Sequence, residues 1–208
     1  MAMTAVKFSV NAARLRSFGL VALLALLTAG CGVNAIPTYE EQAKAKWSEV
    51  QNQYQRRSDL IPNLVETVKG FAQQERDVLT AVVEARAKAT QIKVDVSQLT
   101  DPDALKRFQD AQQQLSDAIG RLLAVAEAYP DLKSSQNFLT LQAQLEGTEN
   151  RIAVARRDYI EAVRVYNTEL RTFPGVIWAS TLYRDAKPIA SFTIAEEQMR
   201  VPSVKFTK

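Results

Sequence analysis

The feature that most constrains the fold is an apolar stripe with helical spacing that begins at Trp47. Its apolar positions are Trp47, Val50, Tyr54, Ile61, Leu64, Val68, Phe71, Val78, Val82, Ala85, Ala89 and Ile92. Only Arg57 and Glu75 interrupt the stripe. This spacing places one apolar seam along a helix, and such a seam is stable only when other helices cover it. The stripe therefore predicts an all-α fold of packed helices.

The first helix is expected to end within this stripe, because an unbroken helix would be far longer than any partner in the chain. Thr38 lies three residues before Glu41, the spacing of a capping box, and marks the start. Gly70 is the preferred end, because glycine adopts left-handed dihedrals and Lys69 complements the carbonyl end of the helix. Pro62 is the rival, since it lacks an amide donor. The stripe continues past both positions, so one long bent helix remains an alternative.

Two later segments carry the same periodicity and supply further helices. The first opens with Asp101 as cap and Pro102 at the first helical position. Its apolar positions are Leu105, Phe108, Ala111, Leu115, Ile119, Leu122 and Ala126. The second is capped by Ser134 or Ser135 and ends at Pro174-Gly175. Its apolar positions are Phe138, Leu141, Leu145, Ile152, Ala155, Tyr159, Ala162, Tyr166 and Phe173.

These patterns predict an up-and-down antiparallel helical bundle of about four helices, with a short extended tail at the C-terminus. The tail spans residues 176–208, which contain Pro188 and Pro202. A turn of helix is expected in it only around Ala195 to Met199.

The N-terminus has the layout of a bacterial secretory signal. An apolar run at residues 18–27 follows a basic stretch that holds Lys7, Arg14 and Arg16. Small residues then precede Cys31, the only cysteine of the chain. The sequence Leu-Leu-Thr-Ala-Gly-Cys resembles the lipobox of bacterial lipoproteins. The resemblance implies cleavage between Gly30 and Cys31 and acylation of Cys31.

An uncleaved anchor is the alternative, because residues 17–39 carry no charge and a bilayer span needs about 20 residues. The second half of that stretch is rich in residues that suit lipid poorly, so cleavage is preferred. The expected organisation is a signal peptide at 1–30, a tether at 31–37 and a helical-bundle domain at 38–208.

Charge and composition exclude several classes of function. The chain has 26 Lys and Arg residues, and removal of three with the signal leaves 23 against 23 Asp and Glu. A neutral domain lacks the general attraction for phosphate on which nucleic-acid binding depends, so no nucleic acid is expected. The chain contains no histidine, which excludes histidine-based triads and the common zinc sites. No cofactor, no metal and no enzymatic activity are predicted.

Paired carboxylates are the one remaining source of catalytic chemistry. Asp101 with Asp103, and Glu40 with Glu41, stand at predicted helix starts, where caps and helix dipoles explain them. A carboxylate-dependent envelope hydrolase is therefore kept as an alternative to a non-enzymatic protein.

Four stretches resemble the LemA family. They are RRSDLIPNLVETVKGF at 56–71, AYPDLK at 128–133, TENRIA at 148–153, and YNT at 166–168 leading to FPG at 173–175. The resemblance covers essentially the whole chain after the tether. It implies a bacterial envelope protein with a helical-bundle domain and brings no enzymatic activity with it. Members usually resemble proteins with a single hydrophobic N-terminal anchor, so the lipobox is a variation on that anchor.

Arg57 is the most informative polar residue, because burial on the seam without a partner would cost several kcal/mol. Its side chain either reaches outward or pairs inside the bundle, or it forms a partner-binding notch with Arg56 and Asp59. Substitution of Arg57 by leucine separates these alternatives.

The leading functional hypothesis is a scaffold or adaptor in the bacterial cell envelope. The expected partners are the membrane, through acylated Cys31, and other envelope proteins that the sequence does not identify. Self-assembly through an exposed helix face is an alternative. Gly32 follows the cysteine in place of the aspartate that retains lipoproteins in the inner membrane, so the outer membrane is favoured in a cell with two membranes.

Overall fold

The computed structural model describes residues 32–192, and this part is helical without any strand. The elements are α1 (Ala35–Phe71), α2 (Arg76–Gln91), a 3-10 turn (Val96–Gln98), α3 (Pro102–Ala126), α4 (Pro130–Lys133), α5 (Gln136–Glu169) and α6 (Gly175–Thr181). Because the described residues form helices and no strand, the all-α prediction is confirmed. Four of these helices are long and two are short. None of the helices within 32–192 is long and apolar enough to cross a bilayer.

Helix α1 ends at Phe71, which confirms the predicted end at Gly70 and rules out one long bent helix. It passes through Pro62, whose ring removes the amide that would bond to the carbonyl of Ser58. Arg86 Nε donates to that freed carbonyl at 2.8 Å. A side chain of α2 thus compensates for the proline, and α1 continues.

The predicted start of α1 is wrong. The helix begins at Ala35, and the amide of Thr38 already donates to the carbonyl of Asn34 at 3.1 Å. Thr38 therefore lies inside the first turn, where it does not act as a capping residue. Glu40 and Glu41 accept ion pairs from Lys44 at 2.8 and 2.7 Å, so both belong to the helix surface.

The chain divides into two compact units. In the described part, the bundle unit comprises residues 39–167 and 187–192, and the turn unit comprises residues 32–38 and 168–186.

Within the bundle unit, paired contacts give the direction of each helix. Lys46 contacts Asp158 at 3.2 Å and Arg57 contacts Glu149 at 2.7 Å, so α1 and α5 run antiparallel. Lys88, near the end of α2, donates to Gln114 in the middle of α3, whereas Glu75, just before α2, accepts from Tyr129, just after α3. Helices α2 and α3 therefore run antiparallel too. The four long helices form the predicted up-and-down bundle.

The ends of the later helices follow the sequence in part. Asp101 caps α3, since its carboxylate accepts the amide of Asp103 at 2.9 Å. Helix α5 ends at Glu169, before the predicted end at Pro174-Gly175, and Gly175 instead begins α6. Phe173, expected on the apolar face of α5, lies beyond the helix and is 80% exposed.

The C-terminal segment differs from a simple extended tail. Residues 175–181 are helical, whereas residues 187–192 have no regular structure and pack onto the bundle unit through buried Ile189 and Phe192. The amide of Ala190 donates to the carbonyl of Leu99 at 2.8 Å. The expected turn at Ala195–Met199 lies outside the described residues.

In the turn unit, the backbone at residue 175 lies so close to the carbonyl of Glu169 that only glycine fits there. A Cβ built on Gly175 would lie 2.2 Å from the carbonyl oxygen of Glu169, which no side chain tolerates. Gly32 has a φ of 108°, which suits glycine, and a Cβ on it would lie 3.3 Å from Pro174 Cγ.

Candidate functional site

The centre of the bundle unit holds a buried cation. Arg57 lies on the apolar seam of α1, one turn after Tyr54 and one turn before Ile61, and is 1% exposed. A guanidinium in this position requires hydrogen-bond partners, because an unpaired buried charge is strongly destabilising.

The partners come from two other helices. Arg57 Nη1 donates to Ser116 Oγ on α3 and to Glu149 Oε1 on α5, each at 2.7 Å. Arg57 Nη2 donates to the Gln112 carbonyl at 3.1 Å and to Gln112 Oε1 at 2.7 Å. Arg57 thus joins α1, α3 and α5, and we call Arg57, Gln112, Ser116 and Glu149 the arginine layer.

Neighbouring groups complete the layer. Arg57 Cζ lies 5.0 Å from the centre of the Tyr54 ring, a cation–π geometry. Burial raises the pKa of Tyr54, and the charges of Arg156 and Arg57 partly oppose that shift. Gln112 Nε2 donates to the Ala89 carbonyl at 3.3 Å, which extends the layer to α2. Among the described groups, the Arg57 Nε atom has no hydrogen-bond partner.

The structure separates the three residues predicted to form a notch. Arg57 points into the bundle, whereas Arg56 and Asp59 are exposed on the other side of α1. The Asp59 carboxylate accepts a hydrogen bond from Gln55 Nε2 at 2.7 Å. Two structural alternatives were open for Arg57: a side chain that reaches outward to solvent, or one that pairs inside the bundle. The structure shows pairing inside the bundle. Gly30 and Cys31, the predicted cleavage and lipidation residues, lie outside the described residues.

Sequence reasoning missed the partners of Arg57. Gln112 stands beside seam residue Ala111, and Glu149 lies in the TENRIA stretch between seam residues Leu145 and Ile152. On each of these two helices a polar residue lies beside the apolar seam, and this is the signal that could have identified Gln112 and Glu149 as partners of Arg57. The match between the three helices still depends on their packing register.

Two cavities flank the arginine layer. One, of about 380 Å³, has a mixed polar and apolar lining that includes Gln51, Tyr54 and Lys93. The other, of about 230 Å³, is mostly apolar and includes Leu123, Leu145 and Glu149. Within residues 32–192, no three Cys, Asp or Glu residues are grouped so that they could hold a metal ion.

Comparison with known proteins gives consistent matches. The sequence model of the LemA family matches residues 46–206. Magnetosome protein MamQ 1 of Paramagnetospirillum magneticum is 28% identical over 157 residues, which cover 68% of this chain and 58% of that protein. Protein LemA of Metamycoplasma hominis is 27% identical over 126 residues, which cover 61% of this chain and 53% of that protein. The chain spans little more than half the length of these relatives.

Proposed function

Because the chain belongs to the LemA family, we propose that it is a lipoprotein of the bacterial envelope and acts as a non-enzymatic scaffold for other envelope proteins. Membership in the family supports a membrane-associated envelope protein. The proposed tether is Cys31, acylated after cleavage at Gly30. In a cell with two membranes, Gly32 favours the outer one.

The observation that supports the scaffold proposal is that the hydrogen bonds of the arginine layer link the long helices to one another. Arg57 Nη1 donates to Ser116 on α3 and Glu149 on α5, Arg57 Nη2 donates to Gln112 on α3, and Gln112 in turn donates to Ala89 on α2. The layer therefore connects all four long helices around a buried guanidinium. A bundle fixed in this way presents helix faces of constant shape, which is what a binding platform requires.

The proposed partner surface lies on the outward face of α1. Arg56 and Asp59 are exposed there in the stretch that most resembles the family pattern. Arg57 contributes indirectly, because its bonds hold the segment that carries both residues. Exposed charges of this kind steer and orient a partner.

A charge-reversal experiment tests this surface. The variant Arg56→Glu with Asp59→Lys is compared with Glu66→Lys with Lys69→Glu, a matched reversal of exposed charges on the same helix. Proteins cross-linked to each full-length variant in intact membranes are quantified by mass spectrometry. We expect the first variant to lose specific partners and the control to retain them, with equal thermal unfolding of both.

The outcomes separate the parts of the proposal. Equal partner sets for both reversals would reject the Arg56 and Asp59 surface. Failure to recover any partner above a Cys31→Ala control would reject the scaffold function itself. A cross-linked product of twice the chain mass would identify a second copy as the partner.

A further inference from the structure

The turn unit exposes an unusual amount of apolar surface. Phe173 is 80% exposed, Leu182 62%, Ile177 45% and Val176 43%. No other large apolar side chain in the described part of the chain is as exposed as Phe173. We call these four residues the apolar patch. Exposed apolar side chains concentrated in so short a segment mark an interaction surface.

The patch has the composition of a membrane-interface element. Phe173 lies in the turn before α6, Val176 and Ile177 lie in the first turn of α6, and Leu182 follows the end of α6, so all four belong to one short segment. Trp178 and Tyr183 are partly exposed in the same segment, and Arg171 and Arg184 are exposed at its two ends. Aromatic residues with flanking cations are enriched where proteins meet lipid headgroups.

The backbone that presents the patch is fixed by close contacts. Gly175 fits against the carbonyl of Glu169, where a Cβ would lie at 2.2 Å. The amide of Val176 donates to the carbonyl of Thr172 at 2.8 Å. The exposure of Phe173 therefore results from a defined turn.

The start of the described chain lies beside the patch, which favours a membrane as its occupant. Gly32 packs directly against Pro174, the residue between Phe173 and Gly175. Cys31 is the residue immediately before Gly32 in the sequence. An acyl chain on Cys31, or an uncleaved apolar anchor, would therefore enter the bilayer within a few residues' reach of Phe173.

We propose that the apolar patch inserts into the headgroup region of a membrane with anionic lipids, so that the turn unit lies on the bilayer surface beside the anchor. This inference rests on the proposed membrane tether and adds a second point of contact. Arg171 and Arg184 would then approach lipid phosphates, where basic side chains are favoured.

Tryptophan quenching in vesicles tests the contact. The full chain, purified from membranes, is reconstituted into vesicles of phosphatidylglycerol and phosphatidylcholine whose acyl chains carry bromine near the headgroup. Phe173→Trp is compared with Val83→Trp, a matched control because Val83 is 51% exposed on α2. The emission of the native chain is subtracted. We expect a blue shift and quenching for Phe173→Trp and neither for Val83→Trp, and we expect Ile177→Glu to abolish the quenching at position 173.

Vesicle flotation of the same samples distinguishes the two proposals. Unquenched Phe173→Trp in a chain that floats with the vesicles would overturn the patch contact and leave the tether intact. A chain that does not float would overturn the tether and the inference together. A blue shift that depends on protein concentration and is insensitive to bromine would show that a second copy covers the patch, which also overturns the proposal.

Discussion

The two halves of the bundle core are built differently on either side of the arginine layer. The aromatic half contains Trp47, Tyr54, Phe108, Tyr159 and Phe192, and the ring centres of contacting pairs among them lie 5.2 to 5.9 Å apart. The aliphatic half contains Ile61, Leu64, Val68, Leu79, Val82, Leu115, Ile119, Leu122 and Leu145. Most residues of the aliphatic half lie on long helices, and its cluster also includes Phe138, Ala72 between α1 and α2, and Leu132 of α4. The aromatic half includes Phe192 of the C-terminal segment.

Hydrogen bonds to irregular segments distinguish the aromatic half further. Trp47 Nε1 donates to the Val94 carbonyl at 2.9 Å, and the Tyr159 hydroxyl donates to the Ala190 carbonyl at 2.8 Å. Asn167 bonds to both backbone groups of Ile189. Large rings with polar tips can fix loops as well as helices, whereas aliphatic side chains supply only packing. The aromatic half therefore sets the position of the segment around Val94 and of residues 187–192, which have no helical periodicity.

The largest expected effect is on the aromatic half. Trp47→Ala removes a fully buried ring and a hydrogen bond, and we expect it to lower the free energy of unfolding by about 4 kcal/mol. Leu64→Ala in the aliphatic half should cost about 3 kcal/mol. Urea unfolding measures both, and hydrogen exchange at Val94 should increase only in the tryptophan variant. Equal exchange in both variants would contradict the comparison.

The arginine layer is the next test. Arg57→Leu removes the donor that bonds to Gln112, Ser116 and Glu149, and we expect a loss of about 2 kcal/mol in the free energy of unfolding. Arg57→Lys keeps the charge and loses the planar fork, so its loss should be smaller. Because Arg57 is buried and acts on binding only by holding the segment with Arg56 and Asp59, partner binding should weaken only as far as the loss of stability accounts for. Full stability with loss of a partner would restore a direct binding role for Arg57.

A smaller effect is expected for the attachment of the C-terminal segment. Tyr159→Phe removes the hydroxyl that donates to Ala190, and we expect a loss of about 1 kcal/mol. Tyr39→Phe serves as the control. Hydrogen exchange should quicken at residues 187–192 in the first variant alone, and unchanged protection there would show that packing of Phe192 suffices.

Alkaline pH should lower the free energy of unfolding, because two tyrosines that hold residues 187–192 are buried. Burial raises the pKa of Tyr166 to about 12, and burial also raises the pKa of Tyr159. The unfolded chain releases phenol protons near pH 10, whereas the folded chain retains them. The unfolded state then binds fewer protons, so stability falls as the pH rises above about 10. Replacement of both tyrosines by phenylalanine should flatten the decline, and an unchanged decline would assign it to other groups.

The sequence predicts those features that depend on local signals. The apolar stripe predicted α1, Gly70 marked its end, and Asp101 with Pro102 marked the start of α3. The predicted helix start at Thr38 was wrong because the chain before Thr38 already forms a helical turn from Ala35.

The remaining features depend on contacts between distant residues. Nothing local shows that Arg57 meets Glu149 at 2.7 Å, since the contact depends on the register of α1 against α5. The exposure of Phe173 was missed for a similar reason, because the helical period continued past the point where α5 ends at Glu169.

Intact mass measurement decides whether Cys31 carries the membrane tether. The protein is purified from membranes beside a Cys31→Ala variant, and both masses are recorded. We expect a native chain that begins at residue 31 and carries diacylglyceryl and fatty-acyl mass, and a variant that lacks this mass. A full-length unmodified native chain would contradict the lipoprotein account and would make residues 17–39 the anchor.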